Sequence, residues 1–132
     1  MRAIDPNVLA RYYLQDDHAQ ARIASAVLAG GDLFVPRTVI LELEWVLRFV
    51  AEQPPEKVFA CLAHLLGLPG VTVEDSDKIE TAHKFCQHGL DFADALHLAA
   101  SGACRELLTF DRQFAARSRR RALKPSVRLP TV

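Results

Sequence analysis

The chain has 132 residues, of which 50% are hydrophobic and 24% are charged. This length and mixture are typical of one globular domain with a sizeable core, so we predict a single domain over residues 1–132. The formal net charge at pH 7 is zero, and the overall charge balance therefore indicates neither nucleic-acid nor membrane binding. The distribution is uneven, because half of all Lys and Arg residues fall in residues 105–132.

The cysteines and the N-terminal segment indicate a cellular compartment. Cys61, Cys86 and Cys104 form no Cys-x-x-Cys pair, which is typical of unpaired core thiols in a reducing environment. Charged residues interrupt the N-terminal segment, and no stretch approaches 18 uncharged apolar residues. We therefore expect a cytoplasmic protein that is neither exported nor inserted in a membrane.

Short apolar segments alternate with longer helical patterns along the chain. The strand-like segments are "RAI" at 2–4, "LFV" at 33–35, "VTV" at 71–73, "ELLT" at 106–109 and "VRL" at 127–129. Helices are predicted over residues 7–14, 18–29, 37–51, 55–67, 75–88 and 91–101, with a short one from residue 111. Strands this short, separated by helices, imply parallel pairing. The predicted fold class is α/β, a three-layer α/β/α sandwich with a central parallel sheet.

Acidic residues follow two of the predicted strands. Asp5 comes directly after "RAI", and Asp111 follows "ELLT" in the same way. Ligands of parallel sheets bind outside the carboxyl ends of the strands, which is where both acids are expected to lie. A second interpretation is equally open for Asp5, since Asp is a favoured N-cap and Pro6 suits the first helical position.

Two glutamates interrupt the apolar helix "TVILELEWVLRFVA" at residues 38–51. Glu44 has Arg48 four residues later, the favourable order for an ion pair on the solvent side, so we expect Glu44 on the surface. Apolar residues flank Glu42 at helical spacing, so we expect Glu42 on the core-facing side. A buried carboxylate needs a partner, which makes Glu42 the candidate ligand. The alternative is that Glu42 is a marginal residue without a special role.

The stretch "GLDFADALHLAASG" at residues 89–102 begins another apolar helix with two acids. Asp91 and Asp94 are three residues apart and share one face. Helix capping by Asp91, with Asp94 favoured by the dipole in the first turn, explains each acid alone. Capping does not explain why Asp91 and Asp94 occur in the same chain as Asp5 and Asp111, two acids that follow predicted strands.

If Asp5, Glu42, Asp94 and Asp111 lie close together in the fold, their negative charges require a counter-charge. Two carboxylates 4 Å apart repel by about 4 kcal/mol at an effective dielectric of 20. A divalent cation would neutralise such a cluster, and ligation by oxygen alone favours Mg²⁺ or Mn²⁺ over Zn²⁺. The candidate ligands are therefore Asp5, Glu42, Asp94 and Asp111.

Four segments in order resemble one family of proteins. They are "IDPNVLARYYLQDD", "LELEWVLRFV", "DFADALHLAAS" and "LLTFDRQF", and they are similar to the motifs of PIN-domain ribonucleases, closest to VapC-type toxins of bacterial toxin-antitoxin pairs. The resemblance covers residues 2–115. It implies a metal site of Asp5, Glu42, Asp94 and Asp111, with Asp91 as a further ligand and with Asn7 and Thr109 in support. Pro6 departs from the family, which often has Thr or Ser there.

The resemblance also implies a function and partners. A PIN-like nuclease domain is expected to cleave RNA phosphodiesters by metal-activated water, without a covalent intermediate. Its expected partners are the RNA substrate, a small antitoxin of the VapB type and a second copy of the chain in a homodimer. The basic "RSRRR" at residues 117–121 is a candidate for phosphate contacts or simply a solvated helix face. His97 is read as a packed histidine rather than a general base.

Three other classes of protein are alternatives to this interpretation. A receiver-type signalling domain also has acids at strand ends, but it needs a Lys after its last strand, and "VRLPTV" has none. A haloacid-dehalogenase-like phosphatase needs a second acid two positions after the first, and residue 7 is Asn. A third alternative is a catalytically inactive PIN-like binding module.

Overall fold

The structure is a computed structural model, and it describes residues 1–131. The chain divides into two compact units, of which unit 1 is Met1–Asp75 and unit 2 begins at Ser76. The prediction of a single domain over residues 1–132 stays a prediction. Within residues 1–131, no helix is both long enough and apolar enough to cross a membrane.

Unit 1 contains a parallel sheet and its crossover helices. Its strands are β1 (Arg2–Ala3), β2 (Leu33–Val35) and β3 (Val71–Val73). Its helices are α1 (Pro6–Leu14), α2 (His18–Gly30), α3 (Arg37–Trp45) and α4 (Pro55–Leu66), and α3 continues as a π-helical segment, Val46–Val50. The strands lie in the order β1-β2-β3, and both pairings are parallel.

The local sequence explains where the helices of unit 1 begin and end. Asp5 caps α1 and Pro6 occupies its first turn, as the capping interpretation predicted. The helix α2 begins after Asp17, whose Oδ1 accepts a hydrogen bond from the backbone N of Gln20 at 3.0 Å. It ends at Gly30, and Gly31 leaves the helix with a positive φ of 69°, which glycine adopts without steric cost.

The core of unit 1 lies around the middle strand. Leu33 and Val35 of β2 are fully buried, as expected for a parallel strand covered on both faces. From α3, Ile40 and Leu43 complete the same core, and both are also fully buried. Each of these side chains stabilises the fold by about 1.5 to 3 kcal/mol relative to its exposed state.

Unit 2 contains the remaining strands and helices. Its helices are α5 (Ser76–Gln87), α6 (Phe92–Ala100) and α7 (Arg112–Arg120), and its strands are β4 (Glu106–Leu108) and β5 (Ser126–Arg128). The two strands pair in parallel, with Leu107 opposite Val127. Buried side chains from the three helices, including Ile79, Phe92 and Phe114, form the core of this unit.

The predicted succession of strands and helices is confirmed. Each predicted strand and helix is present, and the boundaries differ by no more than a few residues, which is the usual uncertainty at element ends. The strands are parallel in both units, so the α/β class is confirmed. Parallel pairing also brings the carboxyl ends of the strands to one edge of each sheet.

Candidate acidic site

In unit 1, Asp5 lies at the carboxyl end of β1 and caps α1 at the same time. Its Oδ2 accepts a hydrogen bond from the backbone N of Asn7 at 3.3 Å, and the residue is exposed. Both interpretations of Asp5 from the sequence are therefore compatible. A carboxylate offers about four lone-pair positions, so capping one amide leaves acceptor capacity for a cation.

The placement of the two glutamates on α3 was predicted wrongly. Glu44 is buried, with 3% of its surface exposed, whereas Glu42 is exposed. The predicted pair between Glu44 and Arg48 does form. Arg48 Nε lies 2.7 Å from Glu44 Oε2, and Arg48 Nη2 donates to Oε1 at 3.1 Å. The ion pair is bidentate and largely shielded from solvent, so the attraction between its two charges is stronger than in a surface pair.

The error has a physical cause in the aromatic residues of this helix. The predicted placement of Glu42 on the buried face assumes that Trp45 and Phe49, at helical spacing from it, are core residues. Both are more than half exposed, at 52% and 56%. The buried face instead carries Ile40, Leu43 and Leu47 at helical spacing, and Glu44 shares it.

Glu42 remains the better candidate for a ligand, for a different reason. The Glu44 carboxylate is engaged by the Arg48 guanidinium on both oxygens. Glu42 is exposed on α3, the helix that follows the carboxyl end of β2. A cation reaches an exposed carboxylate without breaking an existing buried ion pair.

In unit 2, three acids lie at the N-terminal ends of two helices. Asp91 caps α6, and its Oδ2 accepts from the backbone N of Ala93 at 3.3 Å. Asp94 stands in the first turn of the same helix. Asp111 follows β4 and caps α7, with its Oδ1 accepting from the backbone N of Phe114 at 3.0 Å. The positive ends of both helix dipoles favour negative charge at these positions.

Thr109 supports this arrangement, as the resemblance implied. Its Oγ1 accepts a hydrogen bond from the backbone N of Asp111 at 3.0 Å. The hydroxyl therefore fixes the turn between β4 and α7, and this turn sets the direction in which the Asp111 carboxylate leaves the chain. Thr109 is a positioning residue in this structure.

The surroundings of Asp94 disfavour the ionised form of its carboxyl group. Partial burial raises its pKa above the ordinary value of 3.8, and the negative charges of Asp91 and Asp111 raise the pKa further. His97 and Arg117 act in the opposite direction and lower it, although the net shift is upward. The three acids are thus close enough for their charges to interact.

The donors of this cluster fit a hard divalent cation. They are carboxylates, the ligands that Mg²⁺ and Mn²⁺ prefer, and their repulsion is the kind that a bound cation relieves. Within residues 1–131, however, no group of three or more His, Cys, Asp or Glu side chains is arranged to hold a metal ion. The types of side chain in this cluster therefore fit a cation site, but their positions in the structure do not form one.

Phe110 was not among the candidate functional residues predicted from the sequence. It lies between Thr109 and Asp111 and is 85% exposed. An aromatic ring held in water beside a cluster of acids is suited to stacking on a nucleic-acid base. The signal in the sequence was its position just past β4, in the turn before α7.

Asp94→Asn is expected to raise the melting temperature of the metal-free chain by about 1 to 2 °C. A like-charge pair at helical spacing costs roughly 0.2 to 0.5 kcal/mol, and the substitution removes it. A carboxyl with a raised pKa binds its proton more tightly in the folded chain. Its contribution to stability therefore grows as the pH falls through the interval between 3.8 and the raised pKa. Thermal unfolding in EDTA at neutral and mildly acidic pH measures both effects.

Asp77→Asn is the matched control for this substitution. Asp77 also stands in the first turn of a helix, α5, so its replacement removes a favourable dipole interaction. Lys78 Nζ lies 3.9 Å from its Oδ2. We expect this variant to be no more stable than the parent. An equal loss of stability in both variants would show that Asp94 is only a helix-start residue.

Comparison with known protein families gives a match. A family model of the PIN domain matches residues 3–119, a range that covers most of both units and contains all five predicted acids. No curated protein matches the chain at a significant level. The match confirms the PIN-like class of α/β fold predicted from the sequence, and it indicates a nuclease-type function of the kind that generally uses divalent metal ions.

Proposed function

The chain belongs to the PIN domain family, and from this premise we propose that it is a metal-dependent endoribonuclease, the toxin of a type II toxin-antitoxin pair. The observation that carries the nuclease proposal is the electrostatics of unit 2. There partial burial raises the pKa of the Asp94 carboxyl, and the charges of Asp91 and Asp111 raise it further. A carboxyl whose pKa is raised by burial and by neighbouring acids is typical of functional sites.

The proposed metal ligands are Asp5, Glu42, Asp94 and Asp111, with Asp91 as a further ligand. The four segments that resemble VapC-type toxins support this set, and the structure adds that Asp5 and Asp111 follow strand ends in their units. The proposed cofactor is Mg²⁺ or Mn²⁺. When bound, such a cation activates water and stabilises the charge that builds up on a phosphoryl group.

The residues of the chain have separate tasks in this proposal. Asp5, Asp91 and Asp111 are held by the amides that they cap, so these carboxylates are pre-oriented before any ligand binds. Thr109 fixes the turn that carries Asp111. Arg117 places positive charge near Asp94, where it lowers the pKa of that carboxyl against the upward shift.

The proposed biological setting follows from the resemblance to VapC-type toxins. The substrate is RNA, the protein partner is a small antitoxin of the VapB type, and the chain acts in the cytoplasm. A homodimer is also proposed. Its support in the structure is the exposed apolar surface of Trp45, Phe49 and Val50 at the end of α3 and in the π-helical segment.

A cleavage assay with purified protein tests the proposed function. Labelled RNA is incubated with the chain in Mg²⁺, in Mn²⁺ and in EDTA, and single-stranded DNA of the same sequence serves as the substrate control. We expect internal cleavage of RNA in the presence of either metal and none in EDTA. Cleavage of DNA alone would contradict the ribonuclease proposal. No cleavage with either metal would favour an inactive PIN-like binding module.

A further inference from the structure

A small basic pocket lies in unit 2 beside the C-terminal half of α7. It has a volume of about 300 Å³ and is lined by His88, Gly89, Arg117, Arg120 and Arg121. The basic segment at residues 117–121 appears in the sequence as one block, but the structure divides it. Arg119 lines a separate groove on another side of α7, between this helix and β5.

The charges of the three arginines are not compensated by acids of the pocket. Its other lining residues, His88 and Gly89, carry no carboxylate. Within residues 1–131, none of the three guanidinium groups forms an ion pair. The negative end of the α7 dipole offsets only about half of one charge. The pocket therefore presents a net positive charge to solvent.

The pocket is close to the acidic cluster of the same unit. Arg117 lines the pocket, and its charge acts on the carboxyl of Asp94. A phosphodiester chain whose scissile group lies at the acids would therefore have a neighbouring phosphate within reach of the arginines. The acidic cluster is proposed to bind a cation, and a basic pocket lies beside it. Such a pair of sites suits a polyanion that runs across both.

We propose that the pocket of Arg117, Arg120, Arg121 and His88 binds a backbone phosphate of the RNA substrate next to the one that is cleaved. The inference rests on the proposed ribonuclease function and identifies residues that bind the substrate. Guanidinium groups bind phosphate with paired, charge-assisted hydrogen bonds. Contacts of this kind fix the register of the RNA without reading its sequence.

The lining of the pocket favours a phosphate over an acidic protein segment. A bound peptide gains much of its affinity from apolar anchors in pockets, and this pocket offers three guanidinium groups, an imidazole and a glycine. The groove that contains Arg119 differs, because alanine, leucine and valine side chains form much of its lining. The arginine pocket thus matches a small, fully charged group.

Equilibrium binding of a short single-stranded RNA in EDTA tests the proposal, because binding is then measured without cleavage. The variant replaces Arg117, Arg120 and Arg121 with Gln, and fluorescence anisotropy gives the Kd at several salt concentrations. We expect the Kd at low salt to rise at least about tenfold. We also expect the slope of log K against log salt to become shallower by about 0.7, the value for one neutralised phosphate on a single strand.

The matched control replaces Arg112, Arg119 and Lys124 with Gln. These residues line the other groove, and their loss changes the net charge by the same amount. We expect the control to shift the salt slope by less than about 0.3, under half the value for one neutralised phosphate. Equal weakening by both triple variants would overturn the proposal, because net charge and not the pocket would then hold the RNA. Single substitutions of each pocket arginine, checked by circular dichroism, cover the case of a misfolded triple variant.

Two further outcomes separate this proposal from the proposed function. If the parent binds RNA through the pocket but cleaves none in Mg²⁺ or Mn²⁺, the ribonuclease proposal fails and the pocket assignment stands. If the parent cleaves RNA and the triple variant binds it with unchanged Kd, the pocket assignment fails alone. A polyglutamate peptide that displaces RNA at an equal concentration of charge would assign the pocket to an acidic protein partner and overturn the proposal.

Discussion

Replacing Asp5, Asp94 or Asp111 with asparagine, one at a time, is expected to reduce metal-dependent RNA cleavage at least about 100-fold, while the fold survives. Each substitution removes a charged ligand from the proposed cation site. The fold should survive because Asn caps a helix about as well as Asp does, and both Asp5 and Asp111 are N-caps. Cleavage rates in Mg²⁺ and Mn²⁺, together with thermal unfolding, measure the two effects separately.

Asp17→Asn is the matched control, because Asp17 caps α2 in the same manner and belongs to no proposed site. We expect this variant to cleave RNA at the rate of the parent. Alanine at position 5 should differ from asparagine by also costing about 1 kcal/mol of stability, since the cap is lost. Full activity of the Asp5→Asn or Asp94→Asn variant would contradict the assignment of the metal ligands.

Substitution of the two glutamates of α3 is expected to separate activity from stability. Glu42→Gln should reduce cleavage by orders of magnitude and leave the free energy of unfolding nearly unchanged, because the exposed side chain is a proposed ligand. Glu44→Gln should lower the free energy of unfolding by about 1 to 3 kcal/mol, because it removes the buried negative charge that pairs with the Arg48 guanidinium. Urea unfolding and cleavage assays at matched concentrations of folded protein measure the two effects.

A double variant checks the cause of the instability. Glu44→Leu combined with Arg48→Met replaces the ion pair with apolar groups of similar size, and such replacements are often neutral or stabilising. We expect it to recover most of the stability that Glu44→Gln loses. An inactive but stable Glu44→Gln variant beside a fully active Glu42→Gln variant would instead identify Glu44 as the ligand.

The succession of strands and helices was predictable because its signals are local. Short apolar runs marked β2 and β3, Gly30 with Gly31 marked the end of α2, and Pro54 with Pro55 separated α3 from α4. Each of these signals acts through the conformational preferences of a few adjacent residues. The parallel pairing then follows from the helices between successive strands.

The faces of α3 were not predictable in the same way. The hydrophobic pattern of this helix is ambiguous, because Trp45 and Phe49 are as apolar as the residues that form the core. Hydrophobicity alone does not distinguish a core side chain from one on an exposed apolar surface. The π-helical segment, Val46–Val50, follows in this helix and also breaks the regular period of 3.6 residues.

The acids illustrate why capping and metal binding are not competing interpretations. The sequence offered each for Asp5 and Asp91, and the structure shows that both residues cap helices. A helix start supplies amide donors that hold one carboxylate oxygen, and the carboxylate keeps further lone pairs for a cation. Local sequence reveals the cap and the nearby charge of Asp91, whereas the burial that raises the pKa of Asp94 and the added effect of Asp111, 17 residues away in the sequence, emerge only in the folded unit.

Binding of Mn²⁺ to the metal-free chain, followed by electron paramagnetic resonance, tests most directly whether the proposed carboxylates hold the catalytic cation. We expect saturable binding to the parent and to the Asp17→Asn and Glu44→Gln variants. The variants expected to lose this binding are those that replace a proposed ligand, namely Asp5→Asn, Glu42→Gln, Asp94→Asn and Asp111→Asn. Absence of binding to the parent at about 1 mM Mn²⁺, a concentration that fills even weak carboxylate sites, or binding that survives all four substitutions, would contradict the proposed site.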